Sequence, residues 1–497
     1  MKKRIISAML AIAAGVSAVG GLSGCGGSGG TLKWVQLGDK QPKNDAILEK
    51  VNEIIEPELG MKLEIEYIDT ASFSEKAKMQ MASGSAFDVI WAGYLNDYQT
   101  AVTLEGLKDI TDYLDNIEMA DGSVVKMSDA VEEYFLDAAK IDGKIYGIPN
   151  MQVVSNPLTY KVRKSVAEEC GLNLEALEKA AHEVKDLSSS EKYMNMLTAE
   201  MDKVHSKRPD LYTTNPSTNP ASRNIYEEII GGVGIRKDGS SSEVVNIKDT
   251  DEFKCGVDKT REWFEKGYIR SDIASKGNAL TSDDEENQCA FVQTTWKPGQ
   301  EESDAKKAGE EVVYSQIEVP YVSRTDPLLT MLAVSENSKH TKEAVKLIYM
   351  LNTNKELYNL LCWGIEGEDY TKNSDGTITD IENSGYDVGK NAWRYGNQFN
   401  SFITSGQQSD VWEQTKQMND EAVKSPAMGF VPDTNSIMTE LANITNVNAE
   451  YKARMEFGTA PRSEYWDEYM QKLENAGIDK VREEIQKQYN EFLAANK

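Results

Sequence analysis

Ten side chains in this 497-residue sequence are of types and placements that could grip a polar ring compound: Asp39, Trp91, Tyr94, Asn96, Asn150, Trp296, Trp363, Trp393, Tyr395 and Asn397. A pyranose presents weakly apolar CH faces edged by hydroxyls, so it is held by flat aromatic surfaces together with neutral and acidic hydrogen-bond acceptors. Trp91 and Tyr94 follow a run that reads as a strand, Trp296 ends another, and Trp363, Trp393 and Tyr395 lie in loops rich in Gly or Asn. Trp34, inside a strand pattern, and Trp263, Trp412 and Trp466, on helical faces, read as packing. Catalysis has thinner support. Glu366 and Asp369 form a carboxylate pair of the kind a glycosidase sets about a scissile bond, but among 81 acidic residues some such pair always occurs. The sequence has no nucleophile elbow, HExxH, P-loop or dinucleotide fingerprint. Asn373, Asp375, Gly376, Thr377, Thr379 and Glu382 mimic part of a calcium loop, yet its first ligand position falls on Thr371. Asp375-Gly376 therefore reads as a hairpin turn and the acidic run 283–286 as a solvated loop, so neither metal nor cofactor is expected.

Those residues need a scaffold. Residues 32–37, 62–68 and 87–91 read as strands, and 45–56 and 73–83 as helices with apolar side chains at helical spacing. The βαβαβ series predicts a parallel sheet with right-handed crossovers. Its ligands are expected beyond the carboxyl ends of the strands, at Gly38-Asp39, Asp69-Thr70 and Gly93-Tyr94. Residues 165–205 read as helical, and 213–220 and 238–242 as turn-rich connectors. In the tail, 463–497, Tyr465, Tyr469, Leu473, Val481, Ile485, Tyr489 and Phe492 form one apolar stripe.

The amino end speaks to location. Lys2, Lys3 and Arg4 precede an apolar run, 5–19, that is too short and too rich in Gly and Ala for a comfortable permanent span. Leu22-Ser23-Gly24-Cys25 resembles a bacterial lipobox, in which the Cys25 thiol accepts a diacylglycerol before cleavage. Residues 1–24 thus read as a lipoprotein signal peptide and 25–30 as a flexible tether, which places the body on the extracellular face of the cell membrane. A net charge of −27, made more negative when Lys2, Lys3 and Arg4 leave with the leader, argues against nucleic acid as a partner. Cys170, Cys255, Cys289 and Cys362 are widely spaced with no CxxC, and read mostly as small buried apolar residues, their disulfide state left open.

Five stretches occur in order: 81–90 (MASGSAFDVI), 141–149 (IDGKIYGIP), 288–296 (QCAFVQTTW), 332–335 (LAVS) with 337–344 (NSKHTKEA), and 360–370 with 394–398. Together they resemble the extracellular solute-binding proteins of bacterial ABC importers, specifically the carbohydrate-type Gram-positive lipoprotein branch with its own carboxyl-terminal region. The resemblance implies an α/β, periplasmic-binding-protein-like type II fold of two lobes. Lobe 1 is expected from residues 31–152 plus 333–400, and lobe 2 from 153–332 plus 401–497 with carboxyl-terminal helices. The chain would cross near 150–157, 330–333 and 398–404. It also implies a monomer that captures an oligosaccharide between the lobes and delivers it to ABC transporter permease subunits without transforming it. A lipid-anchored glycoside hydrolase is the alternative. In such a design a solute touching both lobes stabilises the closed form, whereas one touching a single lobe shifts nothing.

Overall fold

The strand Thr31–Leu37 buries Trp34, Val35, Gln36 and Leu37 because it lies between two parallel neighbours, Lys62–Ile68 and Val89–Gly93. The helix Asn44–Leu59 between the first two buries Ile47, Val51, Ile55 and Leu59 along one stripe, and stops at Gly60, whose φ of 67° turns its N–H onto Glu56 O. The helix Thr70–Ser83 starts on Asp69, which accepts from Ser72 N at 3.0 Å, and buries Phe73, Ala77 and Met81. These elements are the βαβαβ unit expected from periodicity. The computed structural model describes residues 30–496 apart from 85, 217, 277–286 and 388. The leader, Cys25 and the acidic run 283–286 lie outside the described residues.

Two later segments complete the first sheet. Thr330–Val334 runs antiparallel beside Val89–Gly93, and Gly147–Pro149 pairs with its other edge, giving the order 62–68, 31–37, 89–93, 330–334, 147–149. Gly147–Pro149 is delivered by the hairpin of Lys140–Ile141 and Lys144–Ile145, turned by Asp142 and Gly143 at φ 51° and 76°. Asp88 knots the layers: its carboxylate accepts from Lys33 N at 2.9 Å and from Ser338 Oγ at 2.7 Å.

The second lobe is built on a four-stranded sheet ordered Tyr212–Asn215, Cys289–Thr295, Leu158–Arg163, Val312–Gln316. Helices Lys164–Cys170, Leu174–His182 and Leu187–Lys207 supply much of its core with Trp263 and Phe291. The connector expected at 213–220 is corrected at its start. Thr213 and Thr214 are buried in a strand parallel to Cys289–Thr295, where β-branched side chains pack well, and the Asn-Pro turn signals act only after it. A third apolar cluster unites the antiparallel strands Tyr226–Ile230, Val233–Arg236 and Val245–Asn246 with helices Met438–Phe457, Trp466–Ala476 and Ile478–Ala495. The tail's stripe is buried there from Tyr465 to Tyr489, with Phe492 partly covered.

Three crossings join the lobes. The first leads from Asn150 to Leu158, and the second returns between Gln316 and Thr330. The second and third pair as a short parallel ribbon, Tyr321–Val322 with Val423–Lys424. The third crossing lies at 423–430, not at 398–404, because the helix Val411–Glu421 stays with lobe 1. Lys416 pairs with Glu132 at 2.7 Å and Ala422 packs in the first core, whereas Ala427 and Phe430 pack in the third cluster. Asn419 binds the first crossing to this helix, accepting from Val154 N (3.0 Å) and Ser155 Oγ (3.1 Å) and donating to Gln152 O (2.7 Å). Cys170, Cys255 and Cys362 are free thiols; Cys170, Cys289 and Cys362 are buried and Cys255 is half-buried. Among the described residues no helix is long and apolar enough to cross a membrane.

Candidate functional site

At the carboxyl ends of the parallel strands of lobe 1, beside the crossings, three aromatic rings meet. Trp91 is fully buried; its Nε1 donates to Thr330 Oγ1 at 2.8 Å and its ring contacts Tyr94 and Trp393 at centroid distances of 5.7 and 6.2 Å. Tyr94 and Trp393 lie 6.2 Å apart at 45°, Tyr94 55% exposed and Trp393 half-buried. Trp91 therefore props the other two, and the rings open to solvent are Tyr94 and Trp393.

Backbone and amides hold the platform. Gly93 passes so close to the chain before Thr330 that a Cβ there would lie 2.2 Å from Leu329 O, at a φ of +158° that L side chains rarely adopt. Tyr94 N donates to Leu329 O at 3.2 Å, and Leu329 is itself 44% exposed. Asn96 accepts from Gly93 N and donates to Trp91 O; Asn150 donates to Thr330 Oγ1 and Trp393 O. Both amides are buried, so the ligand contacts expected of Asn96 and Asn150 are corrected to support of the rings above them. The same holds for Trp91. Arg394 is buried without a carboxylate partner among the described residues. It donates to Leu37 O at 2.6 Å and lies 5.8 Å from the Trp393 ring, anchoring the platform to the end of the first strand.

The other expected residues separate. Asp39 is exposed just past that strand end. Tyr395 is wholly buried edge-on to Trp34 at 5.7 Å, and burial pushes its phenol well above the usual range, so its expected ligand contact is corrected to core packing. Trp363 is clamped between Gly389 and Ser401 Oγ, to which its Nε1 donates at 2.9 Å, and Asn397 accepts from Phe399 N as a cap. Neither joins the platform. Trp296 belongs to lobe 2: its N–H donates to Pro157 O of the first crossing and its half-buried indole donates to Glu301 at 3.0 Å. Beyond it the lobes touch, Gly299 against Val411 and Glu302 against Gly406. Leu329, Thr330 and Arg394 are not among the residues expected at the site; Thr330 and Arg394 enter the sequence reading only as ends of the stretches 330–333 and 394–398, since each acts through strands distant in the chain.

The carboxylate pair is occupied otherwise. Asp369 is buried, bound to Lys43 Nζ at 2.8 Å and Ile365 N at 2.9 Å, while exposed Glu366 pairs with Lys372 at 2.7 Å. The calcium-loop mimic closes as the hairpin Tyr370–Lys372 with Ile378–Asp380, Asp375 accepting from Thr377 N and Oγ1. Among the described residues no group of His, Cys, Asp and Glu is arranged to hold a metal ion.

The sequence matches a family model described as bacterial extracellular solute-binding protein over residues 50–362, and a domain of unknown function (DUF3502) over 426–494. It is 25% identical to a carbohydrate ABC transporter substrate-binding protein of Streptococcus pneumoniae serotype 4, over 99% of this chain and 98% of that one. The N-glycan transport solute binding protein (NgtS) of Streptococcus pneumoniae superposes with a TM-score of 0.76 at 22% identity, over 94% of this chain and 100% of that one. NgtS in complex with Man1GlcNAc superposes at 0.66, with the same identity and coverage. The likeness establishes the two-lobed type II fold.

Proposed function

The chain belongs to the bacterial extracellular solute-binding protein family, and from that membership we propose that it captures an oligosaccharide between its lobes and passes it to an ABC transporter permease without transforming it. The observation that carries this reading is the pair Tyr94 and Trp393, rings left partly in solvent at the strand ends of one lobe, next to the crossings. Apolar rings cost free energy when exposed, and a saccharide's CH face is their natural cover. In this reading Trp296 supplies a ring from lobe 2. The relatives described for carbohydrate and N-glycan transport span nearly the whole chain, which supports the saccharide class. Cys25 carries the lipid that tethers the monomeric body outside the cell.

Small-angle scattering and calorimetry with a panel of mannose- and N-acetylglucosamine-containing oligosaccharides test the proposal. Compaction on binding is expected, and Trp393→Ala is expected to weaken affinity by about 1–3 kcal/mol with the fold intact. Turnover of chromogenic glycosides without compaction would replace this reading with a hydrolase.

A further inference from the structure

Lobe 1 carries a second concavity of about 690 Å³, away from the platform of Tyr94 and Trp393. One side is formed by the helices Asn44–Leu59 and Lys355–Trp363. The other is formed by the hairpin after Tyr370, the turn Gln398–Asn400 and the first turn of Val411–Glu421. No residue of the lobe 2 sheet lines it.

Its walls hold two aromatic pairs, Tyr370 with Phe402 at 5.4 Å and Phe399 with Trp412 at 6.4 Å. Phe399, Phe402 and Trp412 are only half-buried, although Trp412 reads from sequence as an ordinary packing residue. The walls are already set. Trp412 Nε1 donates to Ser401 O at 2.8 Å, and Asn359 accepts from Phe402 N and donates to Asn400 O, each at 2.8 Å. Charges nearly cancel: Lys50 pairs with Glu53 at 2.8 Å and Lys372 with Glu366 at 2.7 Å. The carboxylate of Glu413 is in no ion pair among the described residues. A preformed cavity in the usual range of roughly 300–1,000 Å³, with ring faces, amides and a free carboxylate acceptor and little net charge, suits a neutral polyhydroxylated ring and not an ion.

We propose that this concavity is a second carbohydrate site, taking a short neutral saccharide with Phe402 and Trp412 as stacking faces and Glu413 as a hydroxyl partner. Because every wall belongs to one lobe, occupancy has no differential affinity for open and closed forms and leaves their equilibrium alone. The site holds saccharide at the receptor without committing it to transport. It stands independently of the cleft reading.

Calorimetry and scattering on the same samples of mature protein, titrated with mannobiose, chitobiose and Man5GlcNAc, decide it. Two classes of site are expected. Phe402→Ala should abolish the class without compaction, and Glu413→Gln, an exposed change that spares the fold, should weaken that class roughly tenfold. Trp393→Ala should shift compaction to higher ligand concentration and leave this class of heat unchanged. Heats from a single site, unchanged in Phe402→Ala and Glu413→Gln, would overturn the proposal, as would binding of no probe. Binding without compaction that is lost in Phe402→Ala would uphold this site while overturning the cleft reading.

Discussion

At the residue scale, what separates a binding ring from a structural one is how much of it the neighbouring strands leave uncovered. Trp91 and Tyr94 sit three positions apart, yet Trp91 points into the sheet and bonds Thr330, whereas Tyr94 emerges past the strand end. The residue types at the site were legible in the sequence, because flat rings and amides at strand ends announce themselves. Which of them face solvent was not: Trp91 and Asn150 are covered by Thr330 and the chain around Trp393, segments far away in sequence. Trp296→Ala is expected to weaken saccharide binding by about 1–3 kcal/mol, the scale of an aromatic anchor, with little change in thermal stability. An unchanged affinity by calorimetry would strike Trp296 from the site.

At the element scale, buried charge pins the second crossing to lobe 2. Glu318, 4% exposed, accepts from Lys237 Nζ and from Arg223 Nε at 3.1 Å. Burial alone would raise its pKa, but the two cations outweigh it and hold the carboxylate below its usual range. A group depressed in the folded state adds stability that is whole above its unfolded pKa of about 4.3 and is lost as pH falls through the lower folded value. Glu318→Gln should therefore cost about 3 kcal/mol near neutral pH, since it strands the buried Lys237 ammonium while the more exposed Arg223 turns to solvent. Urea titrations of wild type and variant should converge as pH falls below the ordinary carboxylate range; a gap independent of pH would show that packing, not charge, holds the crossing. Neighbouring elements were partly legible. The helices 45–56 and 73–83 are legible from the spacing of their apolar side chains, while the strand Tyr212–Asn215 is hidden behind turn residues and exists because Cys289–Thr295 offers it an edge.

At the scale of the whole molecule, opening and closing depend on where the three crossings are held. Asn419 is 1% exposed and makes three hydrogen bonds to residues 152–155, so the first crossing moves with the helix Val411–Glu421. Asn419→Ala leaves buried backbone groups unpaired and should lower unfolding free energy by roughly 2–4 kcal/mol in chemical denaturation. A change below about 0.5 kcal/mol would mean that water or rearrangement replaces the amide and that the crossing is not fixed there.

The chain's own pattern was sufficient for the first βαβαβ unit and the carboxyl-terminal helical stripe, since each is written in spacing that neighbours along the chain enforce, while the two-lobed α/β class is read from the resemblance that the five stretches carry. Only the tertiary structure decided that the third crossing waits until 423–430, that Tyr395 is core, and that Tyr94 and Trp393 share an exposed platform. Those outcomes depend on contacts between segments hundreds of residues apart, and local periodicity carries no term for which distant surface will arrive to cover a side chain.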